Sequence, residues 1–322
     1  MKYVGVDLGG TNIEMALVEA SGKIVARNRK KTPRGAKGGE VLKCLLSGID
    51  ELLDKTGMKS RKLGGIGIGV AGPVDPERGR VVVTPNMNLS GMKIAEPVRK
   101  RFGVKTVVAN DVNAGVVGES WLGAARGAES AVSIFVGTGI GGGVMVDGRL
   151  VTGARNIAGE IGHMVMDPKG PRCGCGRRGC LEAIASRSAI ERDIRQAVAS
   201  GRRTVLKEML DGDFRMIRSK MLKKALAQRD ALVREVMEKA SMQLGYACVT
   251  VRHLLDPEVI ILGGGVIEAC GDFMLPIVKK VLEERTMPGT RGRAKVVCSA
   301  LGDDAGVLGA VRLAQLALGR RK

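Results

Sequence analysis

Aromatic side chains are scarce in this chain, making up only 2% of its 322 residues. Single-stranded nucleic acids are usually bound by stacking bases on aromatic rings, so this scarcity argues against such a surface. No window of about 18 apolar residues predicts a membrane span, and the N-terminus enters a strand pattern without a signal peptide. We therefore expect no membrane partner. Glycine is abundant instead, at 47 residues, which favours a tightly turned α/β enzyme with aliphatic cores.

Cysteine occurs seven times, an odd number. Three cysteines lie close together between positions 173 and 180, and the other four are scattered through apolar segments. A clustered, odd set indicates a reducing cytoplasm and argues against a disulfide framework. We expect a cytoplasmic protein.

The net charge is strongly positive, at +19. The basic residues form several separate groups, at positions 27–31, 99–101, 215–224, 291–295 and 320–322. No single basic stripe with interleaved aromatics is present, so we expect no nucleic-acid partner. A basic surface that attracts polyanionic substrates such as nucleotides explains the charge better. Nucleic-acid binding stays open as an alternative, and it predicts steeply salt-dependent retention on DNA or RNA.

Hydrophobic periodicity predicts alternating strands and helices, the pattern of an α/β fold. Strands are predicted at 3–8, 12–18, 23–29, 66–70, 80–83, 106–109, 131–136, 140–146, 258–262 and 296–298. Helices are predicted at 41–53, 94–102, 111–121, 183–199, 231–255, 266–284 (broken near Pro276) and from 303–304 to about 318. A strand, a Gly-rich turn and a second strand occur once in each half. A chain of this length more often forms two domains than one.

One histidine and three cysteines fall within 18 residues: His163, Cys173, Cys175 and Cys180. A Cys₃His set is a closed, four-ligand form of structural zinc site that leaves no position for a metal-bound water. The metal would therefore build a loop rather than activate water. Three reduced structural cysteines near a surface histidine are the alternative. Glu160 and Glu182 bracket the set and suggest a fixed polar wall.

Three glycine-rich turns could approach phosphate groups. Their residues are Gly9, Gly10 and Thr11; Gly137, Thr138 and Gly139; and Gly263, Gly264 and Gly265. Small residues let backbone N–H groups reach a phosphate, and Asp7 just before the first turn can hold Mg²⁺ through water. The third turn ends a strand and opens a helix, which suits a nucleotide. Each turn alone could be a simple connection, but together they predict a nucleotide in an interdomain cleft.

Asn110 and Asp111 follow a predicted strand, where α/β sheets place their chemistry. Asp111 could serve only as a helix N-cap. In a phosphate-binding protein it can also accept a hydroxyl proton as that hydroxyl attacks phosphorus.

These motifs together resemble the ROK family of sugar kinases and repressors, over essentially the whole chain. The resemblance implies an α/β, actin/hexokinase-like (ribonuclease H-like) fold with two α/β domains around a cleft. The implied N-terminal domain spans 1–120 and is joined by a C-terminal helix at about 303–322, while 121–302 form a C-terminal domain with an inserted zinc loop. Asp111 is the implied catalytic base, and the implied sugar contacts are Asn110, Asp111, Glu160, His163 and Glu182. One ring nitrogen of His163 would face zinc and the other a sugar hydroxyl.

Repressors of the family carry an additional N-terminal DNA-binding domain, whereas this chain begins at its first strand, so we expect a kinase. The tract Thr84-Pro85-Asn86 resembles the glucokinase branch, although Leu89 to Met92 replace the Trp usual there. We expect ATP, Mg²⁺ and structural Zn²⁺ as cofactors and glucose, phosphorylated at the 6-hydroxyl, as substrate. N-acetylglucosamine, N-acetylmannosamine, mannose, fructose and allose remain alternatives, as does a non-catalytic sugar-sensing regulator. A homo-oligomer, dimer or tetramer, is expected.

Overall fold

The computed structural model of the chain describes residues 1–33, 35, 37–84, 87–289 and 294–319. In chain order the strands are β1 (Lys2–Leu8), β2 (Asn12–Glu19), β3 (Ile24–Lys31), β4 (Leu63–Val70), β5 (Val74–Asp75), β6 (Arg80–Val81), β7 (Thr106–Asn110), β8 (Ala131–Val136), β9 (Ile140–Val146), β10 (Arg149–Leu150), β11 (Val259–Gly263) and β12 (Lys295–Cys298). The α-helices are α1 (Gly38–Thr56), α2 (Ala95–Phe102), α3 (Asp111–Leu122), α4 (Leu181–Ala185), α5 (Arg187–Ala199), α6 (Leu206–Met209), α7 (Ser219–Ala227), α8 (Ala231–Leu255), α9 (Gly265–Arg285) and α10 (Asp304–Gly319). Short 3₁₀ turns lie at Ser60–Lys62 and Ile161–His163.

Two five-stranded sheets share one topology. The first has the order β3-β2-β1-β4-β7 and the second the order β10-β9-β8-β11-β12. In each sheet the first three strands along the chain run antiparallel. A fourth strand then pairs in parallel with the first, and a fifth pairs in parallel with the fourth. The predicted repeat of a hairpin with a glycine-rich turn is therefore confirmed, and both hairpins occupy the same place in their sheets.

Each sheet packs against helices in its own core. In α1 the buried residues Val41, Leu45, Ile49 and Leu52 form the predicted amphipathic face, which packs on the first sheet together with α2. The second sheet packs on a larger cluster that includes buried side chains of α5, α7, α8 and α9. None of the helices in the described ranges has the length and hydrophobicity needed to cross a membrane.

The opposite face of the first sheet is covered by α10. Side chains alternate along a strand, so Tyr3 and Asp7 of β1 lie on the face opposite to Val4 and Val6. Tyr3 packs against α10, which also contacts α3, β1 and β4. This arrangement brings the first turn of α10 beside Asp7, the residue that ends this face of β1.

Several predicted element boundaries were wrong. The helix expected at 183–199 is split into α4 and α5, because Ser186 is extended and its hydroxyl accepts from Ala189 N at 3.2 Å as the cap of α5. Helix α9 runs unbroken through Pro276, because packing against α8 compensates for the backbone hydrogen bond that proline removes. The strand expected at 80–83 is only two residues long, and α6 and α7 were not predicted. Three stretches that were used in the sequence analysis lie outside the described residues: Pro85 and Asn86, 290–293, and 320–322. The first carries part of the family resemblance, and the other two carry part of the basic groups.

We expect Gly67→Ala to destabilise the fold by about 1–3 kcal/mol, because a Cβ at this position would collide with the backbone carbonyl of Ala310 in α10. Gly39→Ala near the start of α1 is the control, since a Cβ there meets nothing within 4 Å. Urea unfolding of both variants checks this. Equal stability of the two variants would contradict the close packing of α10 on the first sheet.

Candidate active site

Asn110 and Asp111 lie at the junction between β7 and α3. Asn110 is the N-cap of α3, and its side-chain oxygen accepts from Val112 N and Asn113 N, both at 3.0 Å. Its amide nitrogen donates to Gly72 O at 3.2 Å and to Asp111 Oδ1 at 3.0 Å. Capping is therefore the role of Asn110 and not of Asp111. The carboxylate of Asp111 is oriented by Asn110 and by Val112 N, which donates to Oδ1 at 2.9 Å.

Asp111 shares an acidic environment with Asp7, across the first sheet. The pKa of Asp7 is raised to about 7, mainly because its carboxyl is buried and also because the negative charges of Asp111, Glu14 and Asp303 lie near it. Burial likewise raises the pKa of Asp111, although hydrogen bonds from the Val112 backbone and from Asn110 oppose that rise. These carboxylates therefore form a site where a divalent cation, or a donated proton, is favoured.

Glu160 extends this acidic environment toward the second sheet. It precedes the 3₁₀ turn at Ile161–His163, and its Oε2 lies 3.9 Å from His163 Nε2. Burial raises the pKa of Glu160, the nearby His163 lowers it, and the charges of Asp111 and Glu182 raise it. Glu160 is thus within electrostatic reach of the Asp111 carboxylate on one side and of His163 on the other.

The four predicted metal ligands converge. The donor atoms of His163, Cys173, Cys175 and Cys180 all lie within 4.8 Å of one another. Cys175 Sγ is 3.7 Å from Cys180 Sγ, and Cys173 Sγ is 3.7 Å from His163 Nδ1. Zn–S bonds of about 2.3 Å at tetrahedral angles place sulfurs about 3.8 Å apart, so the donor set fits zinc.

The imidazole ring of His163 lies between the cysteine cluster and Glu160. Its Nδ1 faces the cysteine cluster, and its Nε2 faces Glu160. The loop that carries the sulfurs is tightly closed, since Cys173 N donates to Arg177 O at 2.8 Å. Gly179 has a φ of 73°, and a Cβ there would collide with the carbonyl of Asp167, so only glycine fits. The loop at residues 173–180, called the metal loop below because it carries three of the four candidate ligands, therefore holds a defined shape beside Glu160.

Glu182 connects the metal cluster to the second hairpin. Its Oε2 accepts from Ile140 N at 3.0 Å, directly after the Gly137–Gly139 turn, and its Oε1 lies 3.5 Å from Cys173 Sγ. A Cβ at Gly139 would collide with the Glu182 carboxylate. A shift of the metal loop would therefore be transmitted to this turn.

The three glycine-rich turns lie at equivalent or adjacent positions in the sheets. The first turn is held by Thr32, whose Oγ1 donates to Gly9 O at 2.6 Å and whose N donates to Thr11 O at 3.0 Å. Thr11 and Thr138 are both exposed at the tips of their hairpins. The third turn neighbours the second, because Gly263 pairs with Phe135 of β8 and a Cβ at Gly264 would contact the Val136 backbone. Gly264, with a φ of 81°, is the N-cap of α9, whose N-terminus can attract an anion.

Sequence reasoning missed three charged side chains near these groups. Glu14 and Asp303 both raise the pKa of Asp7, and Arg187 contacts Thr138. The position of Arg187 could have been found from Ser186, because serine is a preferred N-cap and marks a helix start. Glu14 and Asp303 carry no local signal, since strand pairing and the packing of α10 bring them to the site.

The chain is similar to known proteins over nearly its whole length. The family model described as the ROK family matches residues 3–317. A glucokinase from Thermotoga maritima is 35% identical over 99% of this chain and 99% of its own length. The crystal structure of a ROK family glucokinase from Streptomyces griseus, in complex with glucose and AMPPNP, superimposes with a TM-score of 0.85 at 31% identity, covering 98% of this chain and 100% of that one. The DNA-binding transcriptional dual regulator NagC from Escherichia coli is 29% identical over 98% of this chain and 75% of its own length. Relatives of this chain therefore include both kinases and regulators.

We expect Asp7→Asn to stabilise the protein, and the gain to grow as pH rises from about 4 to about 7 and then to level off. In that window the folded wild type keeps the proton of Asp7, whose pKa is about 7, while the unfolded chain loses it near its ordinary value of 3.8. Stability contributed by the protonated carboxyl is therefore lost as pH rises, and asparagine cannot ionise.

Denaturant unfolding at about pH 5 and about pH 8 measures this difference. Asp54→Asn, an exposed position near the end of α1, is the control and should show no such pH dependence. A gain that is the same at both pH values would contradict the burial of Asp7 among like charges.

Proposed function

Because the chain belongs to the ROK family, we propose that it is an ATP-dependent hexose kinase that transfers the γ-phosphate to the 6-hydroxyl of its sugar. Glucose is the first candidate, since full-length relatives at 33–35% identity are glucokinases. N-acetylglucosamine, N-acetylmannosamine, mannose, fructose and allose are the alternative sugars.

The observation that carries this proposal is the carboxylate of Asp111. It lies at the carboxyl end of β7, oriented by Asn110, and burial raises its pKa above the ordinary range. A carboxylate with a raised pKa is a stronger base, so Asp111 can accept the proton of the sugar 6-hydroxyl as the hydroxyl oxygen attacks phosphorus. The O–P bond to the sugar forms as the bond from the γ-phosphorus to the β,γ-bridging oxygen breaks, and ADP leaves.

The nucleotide lies, in this proposal, against the three turns. Gly9 to Thr11 and Gly137 to Gly139 would contact the phosphates, and Gly263 to Gly265, at the N-terminus of α9, the nucleoside end or α-phosphate. Asp7 would hold Mg²⁺ through water, and the ion would supply charge neutralisation on the phosphates. The cluster of Asp7, Glu14 and Asp303 supports this assignment, because its excess negative charge favours a cation.

The sugar lies between Asp111 and the metal loop. Asn110, Glu160, His163 Nε2 and Glu182 would form hydrogen bonds to its hydroxyls. Supporting this, Asn110 contacts Asp111 directly, and Glu160 lies within electrostatic reach of Asp111, His163 and Glu182. His163 Nδ1, Cys173, Cys175 and Cys180 would hold Zn²⁺, which supplies a fixed shape to this wall. Catalysis then depends on positioning and on charge neutralisation, which are the main contributions in phosphoryl transfer.

The remaining assignments follow from this proposal. We propose an N-terminal domain of 1–120 joined by the C-terminal helix at about 303–322, and a C-terminal domain of 121–302, closing on the substrates to exclude water. The packing of α10 on β1 and β4 supports this division. Unpaired cysteines and a metal-type cluster support a reducing, cytoplasmic location. A homo-oligomer, dimer or tetramer, stays a prediction.

A hexose panel tests the proposal. Purified protein, MgATP and each sugar are combined, and ADP release is followed through a coupled assay. We expect sugar-dependent ADP release, fastest with one hexose. The rival function is a sugar-sensing regulator, which the similarity to NagC favours. Sugar binding without ADP release would support that rival and contradict the kinase.

We expect Asp111→Asn to lower turnover by about a hundredfold or more, because the amide keeps the shape but cannot accept the proton. Sugar affinity should stay close to that of the wild type, and the unfolding temperature should not fall, because the substitution removes a buried charge whose pKa is raised. The coupled assay and calorimetric sugar titration measure these effects. Asp54→Asn is the control and should retain full activity. Near wild-type turnover in Asp111→Asn would rule out Asp111 as the base.

We expect the purified protein to contain about one zinc per chain and Cys175→Ser to lose it, because serine does not supply the thiolate ligand. Displacement of the sugar wall by about 1 Å can cost roughly a hundredfold in rate, so the sugar KM should rise and kcat should fall. The KM for ATP should change less, because only the second of the three turns proposed to bind the nucleotide is joined to the metal loop, through Glu182. Elemental analysis and steady-state kinetics measure both effects.

Cys298→Ser is the matched control, since Cys298 is exposed and lies outside the cluster. It should keep both metal and activity. A Cys175→Ser protein that is metal-free, folded and fully active would show that the metal loop does not shape the sugar site.

A further inference from the structure

The side chain of Arg187 contacts the second glycine-rich turn. It is the first residue of α5, directly after the Ser186 cap, and its Nη2 donates to Thr138 Oγ1 at 2.7 Å. Ser188 Oγ donates to the Thr138 carbonyl at 2.8 Å. The start of α5 therefore lies directly on the tip of the hairpin.

The guanidinium is not needed to attach α5 to the turn. Arg187 N already donates to Gly137 O at 2.9 Å, and the Ser188 hydroxyl adds its own bond to Thr138. Main-chain and Ser188 contacts thus anchor the helix whatever side chain stands at 187. Attachment of α5 to the turn therefore does not explain why a long cationic side chain stands at position 187.

Several donors of this guanidinium remain available to a ligand. Arginine has five N–H donors, and here Nη2 contacts Thr138 while Nε lies 3.5 Å from Glu191 Oε1. Within the described part of the chain Nη1 has no hydrogen-bond partner, and the side chain is 24% exposed. Glu191 engages the Nε edge and so fixes the direction of the fork, with the Nη edge beside the turn.

The contact also sets the direction of the Thr138 hydroxyl. A hydroxyl has one donor and two acceptor positions, and Arg187 occupies an acceptor position of Oγ1. The hydroxyl proton therefore stays available to an acceptor outside the protein. Thr138 O–H and the Arg187 guanidinium together offer neutral and charged donors side by side, which suits a phosphate oxygen.

The carboxylates near the proposed nucleotide site give a physical reason for a cation beside Thr138. A nucleotide brings several negative charges toward Asp7, Asp111 and Glu160, which are themselves carboxylates, and Asp111 lies within electrostatic reach of the other two. A fixed cation at the turn would lower the cost of bringing the phosphates in.

We propose that Arg187 binds the β- or γ-phosphate of the nucleotide together with Thr138, as a substrate-binding residue of the kinase. This inference rests on the proposed function, since it takes the second turn to be a phosphate site. Arg187 would stabilise the charge that develops on the phosphates during transfer, with no change in the groups that exchange bonds.

Calorimetric titration with ATP, ADP and AMP tests the proposal in wild type, Arg187→Gln and Arg187→Lys. We expect Arg187→Gln to weaken ATP binding about ten- to a hundredfold and AMP binding less than twofold, because a lost charge-assisted hydrogen bond has that effect. ADP then distinguishes the β-phosphate, where its affinity falls with that of ATP, from the γ-phosphate, where it does not. Arg187→Lys should recover part of the loss, since it keeps the charge without the fork.

Arg202→Gln is the matched control, because Arg202 forms an exposed ion pair with Glu235 after the end of α5. It should bind all three nucleotides as the wild type does. The sugar KM of all variants should stay near the wild-type value. Arg187→Gln should lower the unfolding temperature, because buried Glu191 loses its partner, but the variant should remain folded at the temperature of the titration. These two readouts separate phosphate binding from a general effect on folding.

Unchanged ATP affinity in Arg187→Gln, or an equal loss for ATP and AMP, would overturn the proposal and leave Arg187 a structural residue. If Arg187→Gln does not fold, Arg187→Lys decides alone, since a fully wild-type ATP affinity and kcat there would contradict a phosphate contact that depends on the guanidinium fork. A wild type that binds ATP without turnover contradicts the kinase but leaves this test valid, because calorimetry requires no turnover. A wild type that binds no ATP overturns both.

Discussion

Asp111 lies within electrostatic reach of Asp7 on one side and of Glu160 on the other, and burial raises the pKa of all three carboxyls. Like charges in a poorly hydrated cleft repel, so the folded protein holds them together at a cost in stability near neutral pH. Other interactions of the chain must supply that stability. The same crowding makes the cleft favourable for cations and for groups that give up a proton, so the cost in stability is also the basis of the proposed chemistry.

The duplicated sheet topology is what maintains this crowding. Asp7 lies next to the last residue of β1 and Asn110 ends β7 at the same edge of the first sheet, while the second sheet presents its equivalent hairpin at Gly137–Gly139. Helix α10 closes the arrangement from behind, because glycines such as Gly67 let its backbone approach the strands. The Glu182 carboxylate then joins the second hairpin to the cysteine cluster. Rigid backbone contacts therefore hold groups that would otherwise separate.

Features with a local sequence signal could be predicted, and features that depend on distant packing could not. The spacing of His163 and the three cysteines predicted a convergence that the structure confirms, because four ligands within 18 residues can meet through tight turns alone. The alternation in β1 and β2 and the period of α1 were equally readable. By contrast, Asp303 reaches Asp7 only through the packing of α10, and the continuity of α9 through Pro276 depends on α8. Asn110 as helix cap was missed because Asp111 is an equally good capping residue by type.

Phosphorus NMR of the wild-type protein with MgATP and the preferred hexose tests the central claim most directly. The account predicts that the γ-phosphate resonance of ATP disappears while ADP and a new phosphomonoester resonance grow together. That resonance should be a triplet, because a phosphate on the 6-oxygen couples to the two hydrogens on C6. A doublet would place the phosphate on a ring hydroxyl, and growth of inorganic phosphate alone, or an unchanged ATP spectrum, would contradict transfer to the sugar.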